Sequence, residues 1–389
     1  MPGIYIHIPF CMAKCRYCDF VSFADQDDKE DYLKALKEEM ALCERELPKL
    51  EYDTVFFGGG TPSVLPAGVI LRLMERLREH YHVLPDAEIT IECNPGTLTE
   101  EKLKEYQQAG INRLSLGLQS ADNGLLRVLG RIHTYEEFLH SCRLAREAGF
   151  TNINADLMYG LPEQTLEAHL DSIQRAAALG LEHISAYSLI LEENTPLYMD
   201  VMGGGESLPD EDTAYAMHRQ GMLLLQSLGY ERYEISNYAK PGRQSRHNLN
   251  YWNNGPYLGL GLNSHSAMLL GGQWSRWANT AILGDYLSVV RMGERPLSGE
   301  IQPIGKREEM FECVMLGLRK TAGMVDREFR DRFGESLFFA FAKPIDELKK
   351  QGWLVEDGRS IRLTEEGLDF QNRALLAFME EESLPLSIN

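Results

Sequence analysis

The organisation of this chain follows from one segment near its N-terminus, Ile4-Tyr5-Ile6-His7-Ile8-Pro9-Phe10-Cys11-Met12-Ala13-Lys14-Cys15-Arg16-Tyr17-Cys18-Asp19-Phe20. An apolar run that reads as a strand leads directly into three cysteines with a C-x3-C-x2-C spacing. Three thiolates this close in sequence converge on one metal centre if the loop wraps around it. A [4Fe–4S] cluster normally takes four cysteine ligands, so three leave one iron with an open position. An open position on a metal is where chemistry is usually done.

Two other interpretations of Cys11, Cys15 and Cys18 are weaker. A zinc site needs a fourth Cys or His at finger spacing, and none lies around the loop. A disulfide leaves one thiol over, and nothing marks the chain as secreted. We therefore predict an iron–sulfur cluster here. The remaining four cysteines are isolated and are expected to be buried thiols: Cys43, Cys93, Cys142 and Cys313.

Composition is that of an ordinary globular protein, with 44% hydrophobic and 25% charged residues. No apolar run approaches the length of a membrane span, and the N-terminus lacks the basic region of a signal peptide. The net charge of −19 argues against nucleic-acid binding, which needs clustered Lys and Arg. We therefore expect a cytoplasmic protein with neither a nucleic-acid partner nor a membrane span.

After the cluster loop, short apolar strands alternate with helical patterns. Strands are predicted at 54–57, 88–92, 113–119, 152–158 and 183–189. Helices are predicted at 27–46, 66–80 and 134–148, a further helix begins near 99, and another ends near 179. Six such units imply a parallel sheet, either doubly wound or a partial barrel. In a barrel, the polar and glycine-rich segments at the strand ends face one cavity.

The pattern changes in the last third of the chain. A helix is predicted at 210–228, and a Gly-, Asn- and aromatic-rich region follows as far as Trp277. Three helices, at 308–318, 326–333 and 345–351, and a hairpin at Asp357-Gly358 then suggest a winged-helix-like α+β domain. We reject DNA binding for this domain on charge, because its acidic side chains outnumber its basic ones. We predict domains at 1–235, 236–304 and 305–389.

Several strand-end residues have the chemistry to bind a polar ligand. Gly59-Gly60-Thr61 follows a strand and precedes a helix, where backbone must approach a ligand closely, although a triple glycine alone is more often a flexible turn. It lacks the Lys-Ser/Thr of a phosphate loop. Glu92 and Asp156 end their strands and can accept hydrogen bonds from a ligand, or simply cap. Gln119 and Arg131 follow the fourth strand, and an arginine fork suits a carboxylate.

The cluster loop, led in by Tyr-Ile-His-Ile-Pro-Phe, resembles the radical S-adenosylmethionine (SAM) superfamily. More narrowly, it is similar to the branch that contains oxygen-independent coproporphyrinogen III oxidase and the heme chaperones called HemW. The resemblance covers most of residues 1–235 and implies a (β/α)6 partial barrel of the TIM type. It also implies that SAM chelates the open iron and that an electron donor reduces the cluster. It places SAM contacts at Tyr5, Tyr17, Gly59, Gly60, Thr61, Glu92, Gln119, Arg131, Asp156 and Ile190.

Three features favour the heme chaperone side of this branch. The oxidase pattern continues to a fourth cysteine, whereas Phe20 stands here, and the oxidases carry a longer segment before the cluster than the ten residues that precede Cys11. The segment Arg246-His247-Asn248-Leu249-Asn250-Tyr251-Trp252 matches the H-N-x-x-Y-W signature of the chaperone group. An imidazole can ligate heme iron, and aromatic rings can flank the macrocycle. The alternative is a packed Tyr-Trp corner with a satisfied histidine.

We therefore expect a heme chaperone that binds heme, a [4Fe–4S] cluster and SAM, and passes heme to respiratory acceptor proteins. The expected heme contacts are His247, Asn248, Tyr251 and Trp252, and the alternative ligands are His7, His133, His183 and His265. Two other functions stay open: a radical decarboxylase of coproporphyrinogen III, and a radical SAM enzyme that opens or alkylates heme. The acidic charge mildly disfavours a tetracarboxylate substrate. SAM binding is expected, and SAM cleavage is left open.

Overall fold

A computed structural model describes residues 2–379 of the chain. The centre of its main sheet consists of β1 (Gly3–Ile8), β2 (Glu51–Gly59), β3 (His82–Cys93), β4 (Arg113–Gln119), β5 (Ile153–Tyr159) and β6 (His183–Ser188). Each of these strands pairs in parallel with the next. The connections contain a 3-10 turn (Pro62–Val64) and α1 (Lys29–Glu46), α2 (Val69–His80), α3 (Glu100–Ala109), α4 (Asn123–Val128), α5 (Tyr135–Glu147) and α6 (Leu166–Ala178). The predicted partial barrel is confirmed.

Local chemistry explains where these elements begin. The side chains of Ile4, Ile6 and Ile8 are fully buried, so the apolar run of β1 packs into the core of the barrel. Helix α5 starts at a capping box, in which Thr134 and Glu137 satisfy each other's backbone N–H groups. The cluster loop then leaves the carboxyl end of β1, at the edge where parallel strands gather functional groups.

Short strands extend the sheet at both edges. They are β7 (Glu231–Arg232), β8 (Asn237–Ala239), β9 (Tyr257–Leu260), β10 (His265–Leu270), β11 (Gln273–Ala278) and β12 (Gln302–Pro303). The order is β12-β11-β10-β9-β1-β2-β3-β4-β5-β6-β8-β7, in which β9 pairs in parallel with β1. The same part of the chain contains α7 (Pro196–Met202), α8 (Glu211–Ser227), α9 (Arg246–Trp252) and α10 (Leu283–Arg291). Residues 258–290 therefore contribute to the core of the barrel.

The C-terminal part has its own sheet, in the order β13-β15-β14, and its own core within residues 310–378. Its elements are α11 (Lys306–Gly317), β13 (Met324–Val325), α12 (Asp326–Phe333), α13 (Leu337–Ala340), α14 (Ala342–Lys350), β14 (Leu354–Glu356), β15 (Ser360–Leu363), α15 (Glu365–Asp369) and α16 (Gln371–Leu376). The predicted helices and hairpin of an α+β domain are confirmed. The division at 1–235, 236–304 and 305–389 stays a prediction.

The C-terminal part packs against the barrel through several side-chain contacts. The guanidinium of Arg319 lies 5.3 Å from the centre of the Trp252 ring at the end of α9. The hydroxyl of Tyr215 on α8 donates to Asp369 at 3.0 Å. None of the helices within residues 2–379 combines the length and apolar composition that crossing a membrane requires.

Candidate functional site

A cavity of about 430 Å³ opens at the carboxyl ends of β1 to β6, and we call it the first cavity. It brings together most of the predicted site residues, namely Cys11, Cys15, Tyr17, Cys18, Gly59, Gly60, Thr61, Glu92, Gln119, Arg131 and Asp156. They come from loops and strand ends that are far apart in sequence. Parallel strands therefore collect thiols, carboxyls and a guanidinium around one space.

The cluster loop presents three free thiols to this cavity. Cys11 is buried, and its sulfur accepts a hydrogen bond from the Thr61 hydroxyl at 3.5 Å. Cys15 is half-buried, and its sulfur accepts from Nη1 of Arg131 at 3.5 Å. Burial raises the pKa of the Cys11 and Cys18 thiols. Within residues 2–379, no group of three or more His, Cys, Asp or Glu side chains converges on a single metal ion.

Hydrogen bonds hold the Arg131 side chain in place beside the cluster loop. Its Nη2 donates to the backbone oxygen of Gly117 at 2.8 Å and to the side-chain oxygen of Asn94. Its Nε is buried and has no partner within the described part of the chain. A buried charged group with an unused N–H is costly unless a ligand accepts that hydrogen bond. The orphaned donor therefore fits an anionic group, such as a carboxylate, bound in the first cavity.

Two carboxyl groups face the same space. Burial, and next the charge of Asp156, raise the pKa of Glu92 to about 8, although the backbone N–H of Gly59 donates to its Oε2 at 3.2 Å. Burial also raises the pKa of Asp156, which accepts from Ser115 at 3.2 Å and from Asn154 at 2.8 Å. A cationic or hydroxyl-bearing ligand would favour the ionised carboxylates and relieve their repulsion.

The glycines at the end of β2 are required for a reason that the sequence did not show. A Cβ at Gly59, where φ is +109°, would collide with the His7 ring, and a Cβ at Gly60 would lie 2.9 Å from the backbone oxygen of Ile8. Close packing against β1 therefore excludes side chains here, whether or not a ligand approaches. Gln119 also has a left-handed φ of +66°, next to a register shift in β4 that directs its side chain to the cavity.

A second cavity, of about 480 Å³, adjoins the first and shares Phe20, Gly59 and Glu92 with it. Tyr5 lines this second cavity and not the first, because its hydroxyl turns toward Nδ1 of His7 at 3.1 Å. Ile190 is 68% exposed and lines neither cavity. The structure therefore does not bring these two predicted SAM contacts to the first cavity, and their role stays a prediction.

The H-N-x-x-Y-W segment forms the short helix α9. His247 is buried, with its Nδ1 in a 2.7 Å hydrogen bond to the Thr54 hydroxyl and its Nε2 in a 2.9 Å hydrogen bond to the Tyr251 hydroxyl. Its ring stacks on Phe56 at 5.1 Å, and burial, with Arg113 as a further cause, lowers its pKa to about 3. Both nitrogens are used, so His247 has the geometry of a packed corner.

The other residues of the H-N-x-x-Y-W segment lie in different environments. Tyr251 lines the second cavity, whereas Trp252 packs under Arg319, just after α11. Asn248 is half-buried, and its backbone N–H donates to the Ser245 hydroxyl that caps the helix. The motif thus connects the second cavity to the C-terminal part. Its predicted role in heme binding is not tested by this geometry and stays a prediction.

Sequence reasoning missed several cavity residues. Asn94 accepts from Arg131 and donates to the Thr61 hydroxyl at 3.3 Å, so it joins two predicted contacts. Its place two residues after Glu92, in the Asn-Pro-Gly segment that closes β3, was the available signal. Ser115, Gly117 and Tyr187 also line the first cavity, and no sequence pattern distinguishes them.

Comparisons with family models and known proteins show which proteins the chain is similar to. A model of the radical SAM superfamily matches residues 5–176, and a model of the HemN C-terminal domain matches residues 304–370. The chain is 37% identical to the heme chaperone HemW of Bacillus subtilis, over 98% of this chain and 100% of that protein. It is 36% identical to the heme chaperone HemW of Escherichia coli, over 97% of this chain and 98% of the relative.

Among solved structures, coproporphyrinogen III oxidase (HemN) from Escherichia coli superposes with a TM-score of 0.83. The alignment covers 97% of this chain and 89% of that protein, at 24% sequence identity. At that identity the match supports the fold alone.

Proposed function

Because the chain belongs to the HemW family of the radical SAM superfamily, we propose that it is a heme chaperone that delivers heme to acceptor proteins. The predicted resemblance is confirmed. Full-length similarity to proteins named heme chaperones is the observation that carries the proposal. The fold alone does not decide the function, since it is shared with HemN.

Membership of the superfamily implies a [4Fe–4S] cluster and SAM. We assign the cluster to Cys11, Cys15 and Cys18, because these three free thiols face one cavity and Arg131 lies against the Cys15 sulfur. A cluster bound there would supply the electron that reduces the SAM sulfonium. The hydrogen bond from Thr61 to the Cys11 sulfur acts on the reduction potential, because hydrogen bonds to ligating sulfur shift it.

The chain's own groups around the first cavity account for SAM binding. Nε of Arg131 is the unused donor for the SAM carboxylate. Glu92 and Asp156 accept from the amino group or the ribose hydroxyls, and their ionised forms gain from a cationic neighbour. Tyr17 and Gly59-Gly60-Thr61 complete the walls of the cavity.

Heme delivery implies further partners. We propose an electron donor that reduces the cluster, heme-accepting respiratory proteins, and a location in the cytoplasm. No nucleic-acid partner is expected, since the net charge is −19. The match of the HemN C-terminal domain model to residues 304–370 suggests the second candidate function, decarboxylation of coproporphyrinogen III.

The deciding experiment offers both substrates to one preparation. Protein reconstituted anaerobically with iron and sulfide is incubated with SAM and reductant, and either heme or coproporphyrinogen III is added. We expect heme to co-elute with the protein and pass to an apo-acceptor, and we expect no vinyl-bearing product. Cys15→Ala, which removes a proposed cluster ligand, is the matched control for dependence on the cluster. Vinyl-bearing product from the wild type would replace the chaperone proposal with the enzyme.

A further inference from the structure

The second cavity contains an unassigned imidazole that faces open space. His265 begins β10, where its backbone is held by pairing with Ala278 on β11. Its side chain is exposed, and neither ring nitrogen has a hydrogen-bond partner within residues 2–379. The position of this side chain is therefore fixed by a strand while its nitrogens stay available to a ligand.

The other imidazoles near this cavity are occupied. His7 also lines it, but its Nδ1 bonds to the Tyr5 hydroxyl and its Nε2 to the backbone oxygen of Val21, at 3.1 and 2.9 Å. His247 lies behind Tyr251 with both nitrogens bonded. Using either ring as an iron ligand would require breaking one of these hydrogen bonds and leaving its partner unpaired, which is unfavourable. His265 has no such cost.

The walls of the cavity suit a flat aromatic ligand. Tyr5, Tyr251 and Tyr257 line it, and the last two meet edge to face with ring centres 4.8 Å apart. Its volume of about 480 Å³ falls within the range of about 300–1,000 Å³ that is typical of ligand pockets.

Building on the proposed chaperone function, we propose that His265 is the axial ligand of heme iron and that the second cavity holds the macrocycle. The H-N-x-x-Y-W segment then acts indirectly, since His247 orients Tyr251 through the 2.9 Å hydrogen bond. His247 is thus a positioning residue. Because Phe20, Gly59 and Glu92 line both cavities, heme bound in the second cavity would lie beside the first cavity.

The test compares the heme spectra of three single variants in cluster-loaded, full-length protein. His265→Ala should lower heme affinity at least tenfold and remove the imidazole signature from the Soret band and the EPR spectrum, and added imidazole should restore that signature. His247→Ala should weaken binding but keep the signature. His140→Ala, on the exposed face of α5, should match the wild type. Iron–sulfur absorption reports whether each variant is folded.

Each result of this comparison either supports or rejects His265 as the axial ligand of heme iron. A wild-type heme spectrum and affinity in His265→Ala would overturn the assignment, and loss of the signature only in His247→Ala would make His247 the ligand. Absence of heme binding by the wild type would instead reject the chaperone function, and with it this inference. Restoration by imidazole would support a ligand role, because a merely structural defect would not respond to it.

Discussion

Glu92 should make the ligand-free protein less stable as the pH rises. Burial and the Asp156 charge raise its pKa from 4.5 in the unfolded chain to about 8. Between these values the folded state holds a proton that the unfolded state releases, so the free energy of unfolding falls with increasing pH. One pKa unit corresponds to about 1.36 kcal/mol, so between pH 5.5 and 7.5 the loss is at most about 3 kcal/mol.

Glu92→Gln removes the ionisable carboxyl group while keeping nearly the same side-chain shape. We expect the variant to gain stability relative to the wild type as the pH rises, by up to about 1.4 kcal/mol per pH unit. Urea denaturation of the metal-free, reduced protein at pH 5.5, 6.5 and 7.5 measures the difference. Glu101→Gln, on the exposed face of α3, is the matched control and should follow the wild type. A constant difference between Glu92→Gln and the wild type across this range would refute the reasoning.

The raised pKa of Glu92 also predicts that protons are released when SAM binds, and this release can be measured. If a cationic group of SAM sits beside Glu92, binding favours the ionised carboxylate, and the wild type releases protons to the buffer near pH 7. Calorimetric titrations in buffers of different ionisation heat count those protons. Glu92→Gln should release fewer, and equal release by both proteins would remove Glu92 from the SAM pocket.

The remaining predictions concern the cluster and the guanidinium beside it. Cys15→Ala should abolish the visible absorption of the reconstituted cluster, whereas Cys43→Ala, a buried thiol away from the cavity, should keep it; a full cluster in Cys15→Ala would contradict the assignment. Arg131→Ala should weaken SAM binding about tenfold or more in equilibrium titrations, since a charged hydrogen bond contributes about 1.5–3 kcal/mol. The exposed Arg127→Ala is its control, and equal affinity in both variants would place the carboxylate elsewhere.

The sequence predicted the barrel well because each central strand is an apolar run followed by a distinctive strand end. The Cys-rich loop, the glycines at the end of β2, Glu92 near the end of β3 and Asp156 in the middle of β5 all reach the first cavity. The edge strands β7 to β11 were missed, since they are short and lie in a Gly-, Asn- and aromatic-rich region without a clear alternation.

The sequence could not show which histidines are hydrogen-bonded in the folded protein and which are available to a ligand. His247 is paired with Thr54, which is 193 positions earlier in the chain. Its backbone N–H also bonds to Glu88, 159 positions away. Such partners are set by the tertiary fold, so spacing within α9 cannot tell a satisfied imidazole from an available one. The availability of His265 follows equally from where β10 begins.

The pairing of β9 with β1 bears on how the chain is made. Gly3 is translated 254 residues before Tyr257, its neighbour on β9. At about 5–20 residues per second, roughly 10–50 s pass while one edge of the N-terminal strand stays bare. The cluster loop follows directly after β1, so the strand that carries it is paired on both sides only after β9 has been translated. Iron and sulfide are therefore best received after translation has passed β9, and a nascent chain stalled earlier would expose its thiols to oxidants.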